Sequence, residues 1–148
     1  MTPTPTSPTN PFAESLREVG LRVTAPRLAV LETVAAHPHA EADTIAAAVR
    51  ERLGSVSTQA VYGVLHALTD VSLLRRVEAG RSASRYEIEH GDNHHHMVCR
   101  VCGRLEDVPC QIGNAPCLVP PEDHHQGYDI EVADVLFRGV CAKCRVAA

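Results

Sequence analysis

The chain has 148 residues and a formal net charge of −4, which is enough for one ordinary domain or two small ones. No stretch approaches about 18 consecutive apolar residues, which excludes a membrane-spanning helix. Residues 1–11 are rich in proline and threonine and lack both a basic start and an apolar core, so we expect a disordered tail and not a signal peptide. Six cysteines without an export signal favour metal binding over disulfide bonds, and we expect a cytoplasmic protein.

Four helices are predicted in the first half of the chain from apolar faces with helical spacing. Thr24 and Ser57 each precede such a face and are typical N-caps. Gly20 and Gly54 each follow one and are typical stops. The helices are expected over about Phe12 to Val19, from Thr24 to near His37, over about Ala42 to Leu53, and from Ser57 to beyond Leu68.

Two short strands follow the helices. Leu73–Glu78 and Ser84–Glu89 have strand character, and Gly80 and Ser82 lie in the turn between them, which predicts a hairpin. Helices followed by an arginine-rich hairpin are the outline of a winged helix-turn-helix, although any small helical domain would show similar apolar stripes.

A polar segment, residues 89–93, interrupts this pattern, and we place a domain boundary there. Beyond it, Met97–Cys99, Leu105–Val108 and Asp134–Val140 resemble the strands of a small sheet. The predicted fold class is therefore α+β, with a helical N-terminal domain followed by a smaller mixed domain.

Two Cys-x-x-Cys pairs lie in the second half, Cys99 with Cys102 and Cys141 with Cys144. Two residues between cysteines let both sulfur atoms reach one ion, and two such turns complete a closed tetrahedral zinc site. Redox-active cysteines, buried thiols and a rubredoxin-like iron site are the alternatives. A further pair, Cys110 and Cys117, fits buried small residues, a thiol switch or extra metal ligands, and burial or no role is the favoured interpretation.

Histidines and carboxylates form a second candidate cluster. His94 and His96 share a face if their segment is a strand, while His95 points away. Asp107 lies close enough in sequence to fold back beside them, and Glu87 and His39 would come from the other domain. Imidazoles with carboxylates suit Fe(II), Mn(II) or zinc, and ligands from both domains would couple metal occupancy to domain orientation. The alternative for His39 and Glu87 is that they are surface polar residues.

The fourth helix begins with hydroxyl, amide and phenol side chains, from Ser57, Thr58, Gln59 and Tyr62. The same end of a recognition helix meets base edges and phosphates in the major groove. An ordinary capped helix, with Tyr62 packed against its own domain, is the alternative. The net charge argues weakly against nucleic acid, but a group of arginines would make a local phosphate-binding edge. The group comprises Arg75, Arg76, Arg81 and Arg85.

Together these segments resemble the ferric uptake regulator (Fur) family of metal-dependent repressors. The resemblance covers nearly the whole chain after the tail. The segments that carry the resemblance are Gly20–Arg27, His39 with Ala42 and Asp43, Ser57–Tyr62, Arg85–Glu87, His94–Cys102 and the final Cys-x-x-Cys.

The resemblance implies a winged-helix DNA-binding domain over residues 12–90 and an α/β dimerisation domain over residues 91–148. It implies a homodimer on a palindromic operator in double-stranded DNA, with no membrane partner. The implied structural Zn²⁺ ligands are Cys99, Cys102, Cys141 and Cys144. The implied ligands of a regulatory Fe²⁺ or Mn²⁺ are His39, Glu87, His94, His96 and Asp107. The expected DNA-binding residues are Arg27, Ser57, Thr58, Gln59, Tyr62, Arg75 and Arg81.

Within the family, Asp107 occupies a position where peroxide-sensing (PerR-like) members carry aspartate. Other segments, including Ala115–Leu118, are similar to the actinobacterial catalase-peroxidase regulators (FurA/CatR-like). This similarity implies an Fe(II)-loaded repressor of a catalase or peroxidase gene, relieved when peroxide oxidises His39 or His94. Glu87 departs from the best-known peroxide sensors, which have aspartate there. Ala133 replaces a histidine of an additional metal site, which is not expected in its usual form.

Three other functions are alternatives to a peroxide-sensing repressor. The first is an iron- or zinc-responsive repressor of metal uptake. The second is a zinc enzyme, but neither cysteine pair follows the proline of a deaminase motif, and a four-cysteine site has no open position for hydrolysis. The third, a structural zinc interaction module, leaves the histidine cluster without a role.

Overall fold

A computed structural model describes residues 9–80 and 83–147. These residues form two compact units, divided between Glu89 and His90. Helices dominate the first unit and strands the second, which is the predicted α+β class. None of the helices in the described residues is long and apolar enough to cross a lipid bilayer.

The first unit contains four helices, and side-chain caps set the starts of three of them, α1, α2 and α4. Asn10, Thr24 and Ser57 each accept a hydrogen bond from a backbone amide of the first turn, at 3.0, 3.4 and 3.1 Å respectively, which satisfies a donor that the helix itself leaves free. Gly54 ends the third helix in a left-handed conformation, with φ of 73°. The helices are α1 (Pro11–Glu18), α2 (Ala25–Ala36), α3 (Ala42–Leu53) and α4 (Thr58–Asp70).

A three-stranded antiparallel sheet completes the first unit. Its strands are β1 (Ala40–Glu41), β2 (Leu74–Val77) and β3 (Arg85–Ile88), in the order β1-β3-β2. The hairpin of β2 and β3 is the predicted one, with part of its turn outside the described residues. Strand β1 was not predicted, because two residues between helices carry no alternating pattern. Helices α2 to α4 with this sheet form a winged helix-turn-helix.

The core of the first unit lies where α2, α3 and α4 meet β2. Leu31, Ile45, Leu65, Leu68 and Leu74 are all at most 2% exposed and belong to one cluster. Because all four helices and strands β2 and β3 contribute to that cluster, the position of α4 and of the sheet depends on it.

The second unit is built on a three-stranded sheet in the order β5-β4-β6. Its strands are β4 (His94–Cys99), β5 (Leu105–Pro109) and β6 (Leu136–Gly139), followed by a short helix, α5 (Ala142–Val146). The central strand β4 is antiparallel to β5 and parallel to β6. It begins three residues before the predicted start, so all three consecutive histidines belong to it.

Few apolar side chains are buried in the second unit. Among its described residues, Val98, Cys99 and Leu105 are the buried apolar ones, while His94, His95 and His96 are buried polar residues. Small units with so little apolar core are usually held together by metal ions or disulfide bonds. We therefore expect the cysteines and histidines of the second unit to contribute to its stability.

Truncation of Leu68 tests the core of the first unit. Replacing Leu68 by alanine should lower the free energy of unfolding by about 2–5 kcal/mol, since the side chain is fully buried and leaves a cavity. The measurement is urea unfolding followed by far-ultraviolet circular dichroism, which reports mainly on α1 to α4. Leu118→Ala, at a leucine that is 65% exposed, should change stability by less than about 0.5 kcal/mol. Equal effects of the two substitutions would contradict this packing.

Candidate metal centres

The four cysteines of the two Cys-x-x-Cys pairs come together in the second unit. Their sulfur atoms all lie within 4.8 Å of one another. Cys99 is the last residue of β4 and Cys102 lies in the turn that follows. Cys141 is the N-cap of α5 and Cys144 lies within that helix. The backbone amide of Cys141 donates to the sulfur of Cys99 at 3.3 Å. We call this group the cysteine cage.

The hydrogen bonds and thiol pKa values of the cysteine cage favour the binding of a cation. Backbone amides of Cys102 and Cys141 donate to the Cys99 sulfur and lower the pKa of that thiol to about 6. Hydrogen bonding to Cys141, followed by burial and the other thiols, raises the pKa of Cys144 to about 12. Without a cation Cys144 therefore keeps its proton, because adjacent thiolates would repel one another. Four sulfur donors at this separation fit a tetrahedral zinc ion, which would displace that proton.

Strand β4 presents a second set of donors on one face. His94 and His96 lie two residues apart with ring centroids 4.9 Å apart. Asp107 is the cross-strand partner of His96 on β5, and its Oδ1 lies 3.4 Å from Nε2 of His96 and 3.7 Å from Nε2 of His94. On the other ring nitrogen, Nδ1 of His94 is 3.1 Å from Asp92 Oδ1, so Asp92 orients this imidazole and leaves its Nε2 directed at Asp107.

The first unit brings His39 and Glu87 together. His39 precedes β1 in a left-handed conformation, with φ of 67°, which is unfavourable for a residue other than glycine. Its backbone amide donates to the Tyr86 carbonyl at 2.9 Å, and its Nε2 lies 3.1 Å from Oε2 of Glu87. Glu87 is only 5% exposed. The interpretation of Glu87 as a surface residue is therefore wrong, and both groups are held in place for a specific contact.

The N-terminal end of α4 is polar and accessible. Ser57 is its cap, and Gln59 in the first turn is exposed. The Thr58 hydroxyl accepts a hydrogen bond from Arg50 at 3.3 Å. Tyr62 is 41% exposed and donates to Asp43 on α3, an interaction that raises the pKa of the phenol. Tyr62 is thus anchored to its own unit and also presented at the surface.

The predicted arginines differ in their surroundings. Arg27 donates to the Arg22 carbonyl at 2.7 Å. Arg75 is 19% exposed, and its Nε lies 3.8 Å from Oε1 of the buried Glu87. Its neighbour Arg76 is 51% exposed, on the opposite face of β2. Sequence reasoning placed both arginines in one basic edge, but strand alternation separates them. Arg81 lies outside the described residues.

The structure brings together a third group of possible metal ligands, which the sequence did not predict to lie close to one another. His95 projects from β4 on the face opposite His94 and His96, and its Nε2 lies 3.2 Å from the sulfur of Cys117. Its Nδ1 is buried and has no hydrogen-bond partner among the described residues. The spacing of Cys110 and Cys117 gave no indication of this contact, which depends on the loop after β5.

This fold and these donor groups define a metal-binding winged-helix regulator of transcription. The model of the ferric uptake regulator family matches residues 18–115, and the chain belongs to that family. It is accordingly a metal-responsive transcriptional regulator and not an enzyme.

Individual relatives agree with this assignment. The transcriptional regulator FurA of Mycobacterium tuberculosis is 52% identical over 136 residues, which are 92% of this chain and 91% of that protein. The peroxide-responsive repressor PerR of Staphylococcus aureus is 29% identical over 133 residues, 88% of this chain and 87% of that protein. The solved structure of the Vibrio cholerae ferric uptake regulator superposes with a TM-score of 0.64 at 23% identity, covering 87% of this chain and 98% of that one. At this identity the superposition shows the shared fold.

Replacement of a cage cysteine tests the proposed zinc ligands. Cys144→Ser should abolish the zinc that survives dialysis against a chelator, because three thiolates leave the site open to exchange. Elemental analysis of the dialysed protein measures the loss. Cys110→Ser is the matched control and should retain this zinc, since Cys110 lies outside the cage. Chelator-resistant zinc in the Cys144→Ser protein at the wild-type level would show that the cage does not hold it.

Proposed function

We propose that the protein is a homodimeric repressor that binds a palindromic operator when a regulatory Fe²⁺ or Mn²⁺ is bound, and that peroxide relieves repression of a catalase or peroxidase gene. The observation that carries the proposal is the convergence of His94, His96 and Asp107 on one face of the β4–β5 pair. As a regulator of transcription it would act in the cytoplasm, where bacterial DNA lies.

The regulatory ligands in this proposal are His39, Glu87, His94, His96 and Asp107. Three imidazoles and two carboxylates are the borderline and hard donors that suit Fe²⁺ and Mn²⁺, and they contain no thiolate that would favour zinc or copper. In the first unit, Glu87 is already paired with His39 and faces Arg75. These two contacts fix the position of a buried carboxylate, whose oxygen atoms are donors for a cation. In the second unit, Asp92 fixes the His94 ring.

Zinc in the cysteine cage would serve a structural role. The cage connects the turn after β4 with α5, two segments about 40 residues apart that share few buried apolar contacts. A closed four-sulfur site offers no open position for a reacting molecule. Its proposed function is to hold β4 in the conformation that aligns His94 and His96.

DNA recognition is assigned to α4. Its N-terminal end exposes Gln59, which can form a paired hydrogen bond with adenine, and Tyr62, which can contact phosphate or a thymine methyl group. The end of the helix also directs backbone amides and a positive partial charge outward, which favours phosphate. Arg27 and Arg76 lie in the same unit and add positive charge for the DNA backbone.

Dimerisation is assigned to the second unit. Met97 and Phe137, neighbours on β4 and β6, are 45% and 49% exposed. They line an apolar groove together with Val98 and Val140. Exposed apolar area of this kind is typical of an interface between subunits. A two-fold dimer would place two α4 helices on the two halves of a palindromic site.

The proposed response to peroxide depends on the regulatory metal and its histidine ligands. It is supported by Asp107, at a position where peroxide-sensing members carry aspartate, and by the similarity to PerR. Fe²⁺ held by His39, Glu87, His94, His96 and Asp107 would supply the electron transfer that activates hydrogen peroxide, whereas Mn²⁺ would do so poorly. In the net reaction one peroxide oxygen replaces the hydrogen on an imidazole carbon of His39 or His94, and the other leaves as water. The oxidised ring is a poorer ligand, so the metal and the DNA are released.

Substitution of Gln59 tests the assignment of α4. Gln59→Ala should weaken operator binding by about 1–3 kcal/mol, the usual value of one paired contact to a base, while binding to unrelated DNA changes little. Fluorescence anisotropy measures both affinities. The promoter upstream of its own gene gives the affinity for the operator, and an unrelated duplex gives the affinity for other DNA. Gln126→Ala, at an exposed glutamine of the second unit, is the matched control. Equal affinities of the Gln59→Ala and control proteins for the operator would exclude Gln59 from base recognition.

A peroxide pulse tests the sensing mechanism. Protein loaded anaerobically with Fe²⁺ should lose operator binding after brief exposure to equimolar hydrogen peroxide, while the Mn²⁺-loaded protein keeps it. Anisotropy measures binding, and peptide mass spectrometry should find one added oxygen on His39 or His94 in the iron sample alone.

Two other outcomes separate the alternatives. If both metal forms bind the operator before and after the pulse, the protein responds to metal concentration and controls metal uptake, and the peroxide proposal is wrong. If neither form binds any duplex DNA, α4 is not a recognition helix in this chain.

A further inference from the structure

Strand β4 directs its third histidine away from the candidate regulatory ligands. Consecutive side chains of a strand point to opposite faces, so His95 lies on the face opposite His94 and His96. Its cross-strand partner is Val108 on β5. Cys110 follows Val108 by two residues and therefore leaves β5 toward the same face as His95.

The loop after β5 brings two sulfur atoms to this histidine. Nε2 of His95 lies 3.2 Å from the sulfur of Cys117. One ligand atom from each of His95, Cys110 and Cys117 lies within 4.8 Å of the others, and these atoms are distinct from those of the cysteine cage. His95 is 6% exposed, and both cysteines are partly buried. The three groups are thus enclosed together at a separation that one ion can bridge.

The backbone around Cys110 repeats the arrangement around Cys99. The amides of Gly113 and Ile112, three and two residues after Cys110, donate to its sulfur and lower the pKa of the thiol. The amides of Cys102 and Val101, three and two residues after Cys99, do the same in the cysteine cage. A turn that directs two amides at one sulfur stabilises the thiolate, the form that binds metals. An inert buried thiol does not require this turn.

We propose that His95, Cys110 and Cys117 form a further metal site that takes Zn²⁺. Two thiolates and one imidazole favour zinc over the hard cations Mg²⁺ and Mn²⁺. Three protein ligands leave the fourth tetrahedral position open, so this ion exchanges more readily than one in the closed cage. The site lies on the opposite face of β4 from the regulatory ligands, and its existence does not depend on peroxide sensing or DNA binding.

Cobalt provides the probe, because Co²⁺ bound by thiolate absorbs strongly in the near ultraviolet, whereas Co²⁺ bound by nitrogen and oxygen alone does not. Reduced protein that retains its chelator-resistant zinc is titrated with Co²⁺ under anaerobic conditions. With the cage occupied, Cys110 and Cys117 are the thiols left to give this absorption. Release of zinc is followed with a chromogenic chelator throughout the titration.

The wild-type protein should develop the thiolate-to-cobalt absorption without releasing zinc. Cys110→Ser/Cys117→Ser should lose this absorption, and His95→Gln should require a higher Co²⁺ concentration to reach it. His124→Gln, at a histidine 73% exposed, is the matched control and should behave like the wild type. Circular dichroism and retained cage zinc establish that each variant is folded.

A measurement on the unaltered protein complements the variants. Zn²⁺ at about ten times its dissociation constant should slow alkylation of Cys110 and Cys117 by roughly tenfold, since about a tenth of the sites stay empty. Peptide mass spectrometry gives the rate at each cysteine.

Three results would overturn the proposal. These are absence of the cobalt absorption in reduced wild-type protein, its persistence in the double-serine variant, and alkylation rates that zinc does not alter. Operator binding is measured separately, so failure of this site and failure of the repressor proposal are distinguishable.

Discussion

The alternation of side chains along β4 is the constraint on which the metal chemistry of the second unit depends. Within six residues this strand supplies His94 and His96 to one face, His95 to the other, and Cys99 to the cysteine cage at its end. If the strand shifted by one residue, every histidine would exchange faces. Pairing with β5 on one side and β6 on the other prevents such a shift, and the cysteine cage holds the end of the strand.

The second unit combines a small apolar core with groups of candidate metal ligands. Its described residues bury Val98, Cys99 and Leu105 as apolar groups and three histidines beside them, and buried imidazoles destabilise a fold unless their polar atoms have partners. Asp92 and Asp107 already contact His94 and His96, and cations would add to these contacts. Cations would also offset the excess of acidic over basic residues in this half of the chain. The first unit has a continuous apolar core, so we expect removal of metal to affect the second unit more than the first.

Much of this architecture could be predicted from the sequence where the signal is local. The caps Thr24 and Ser57 and the stop at Gly54 gave the limits of α2 to α4 closely, and the Cys-x-x-Cys spacing identified the four cysteines that meet in the cage. Strand β1 was missed because two residues carry no periodicity. The burial of Glu87 and the separation of Arg75 from Arg76 depend on strand pairing, and the contact of Cys117 with His95 depends on the course of a loop. Such features arise from tertiary structure and have no local signature.

The most direct test of this account compares two neighbouring histidines of β4. His96→Ala and His95→Ala remove the same side chain from opposite faces of one strand. Operator affinity is measured by anisotropy for both proteins, loaded anaerobically with Fe²⁺ after their cage zinc has been verified. The account predicts that His96→Ala loses iron-dependent operator binding, whereas His95→Ala retains it. If both substitutions abolish the iron response, or if His95→Ala alone does so, the division of β4 into two metal-binding faces is wrong.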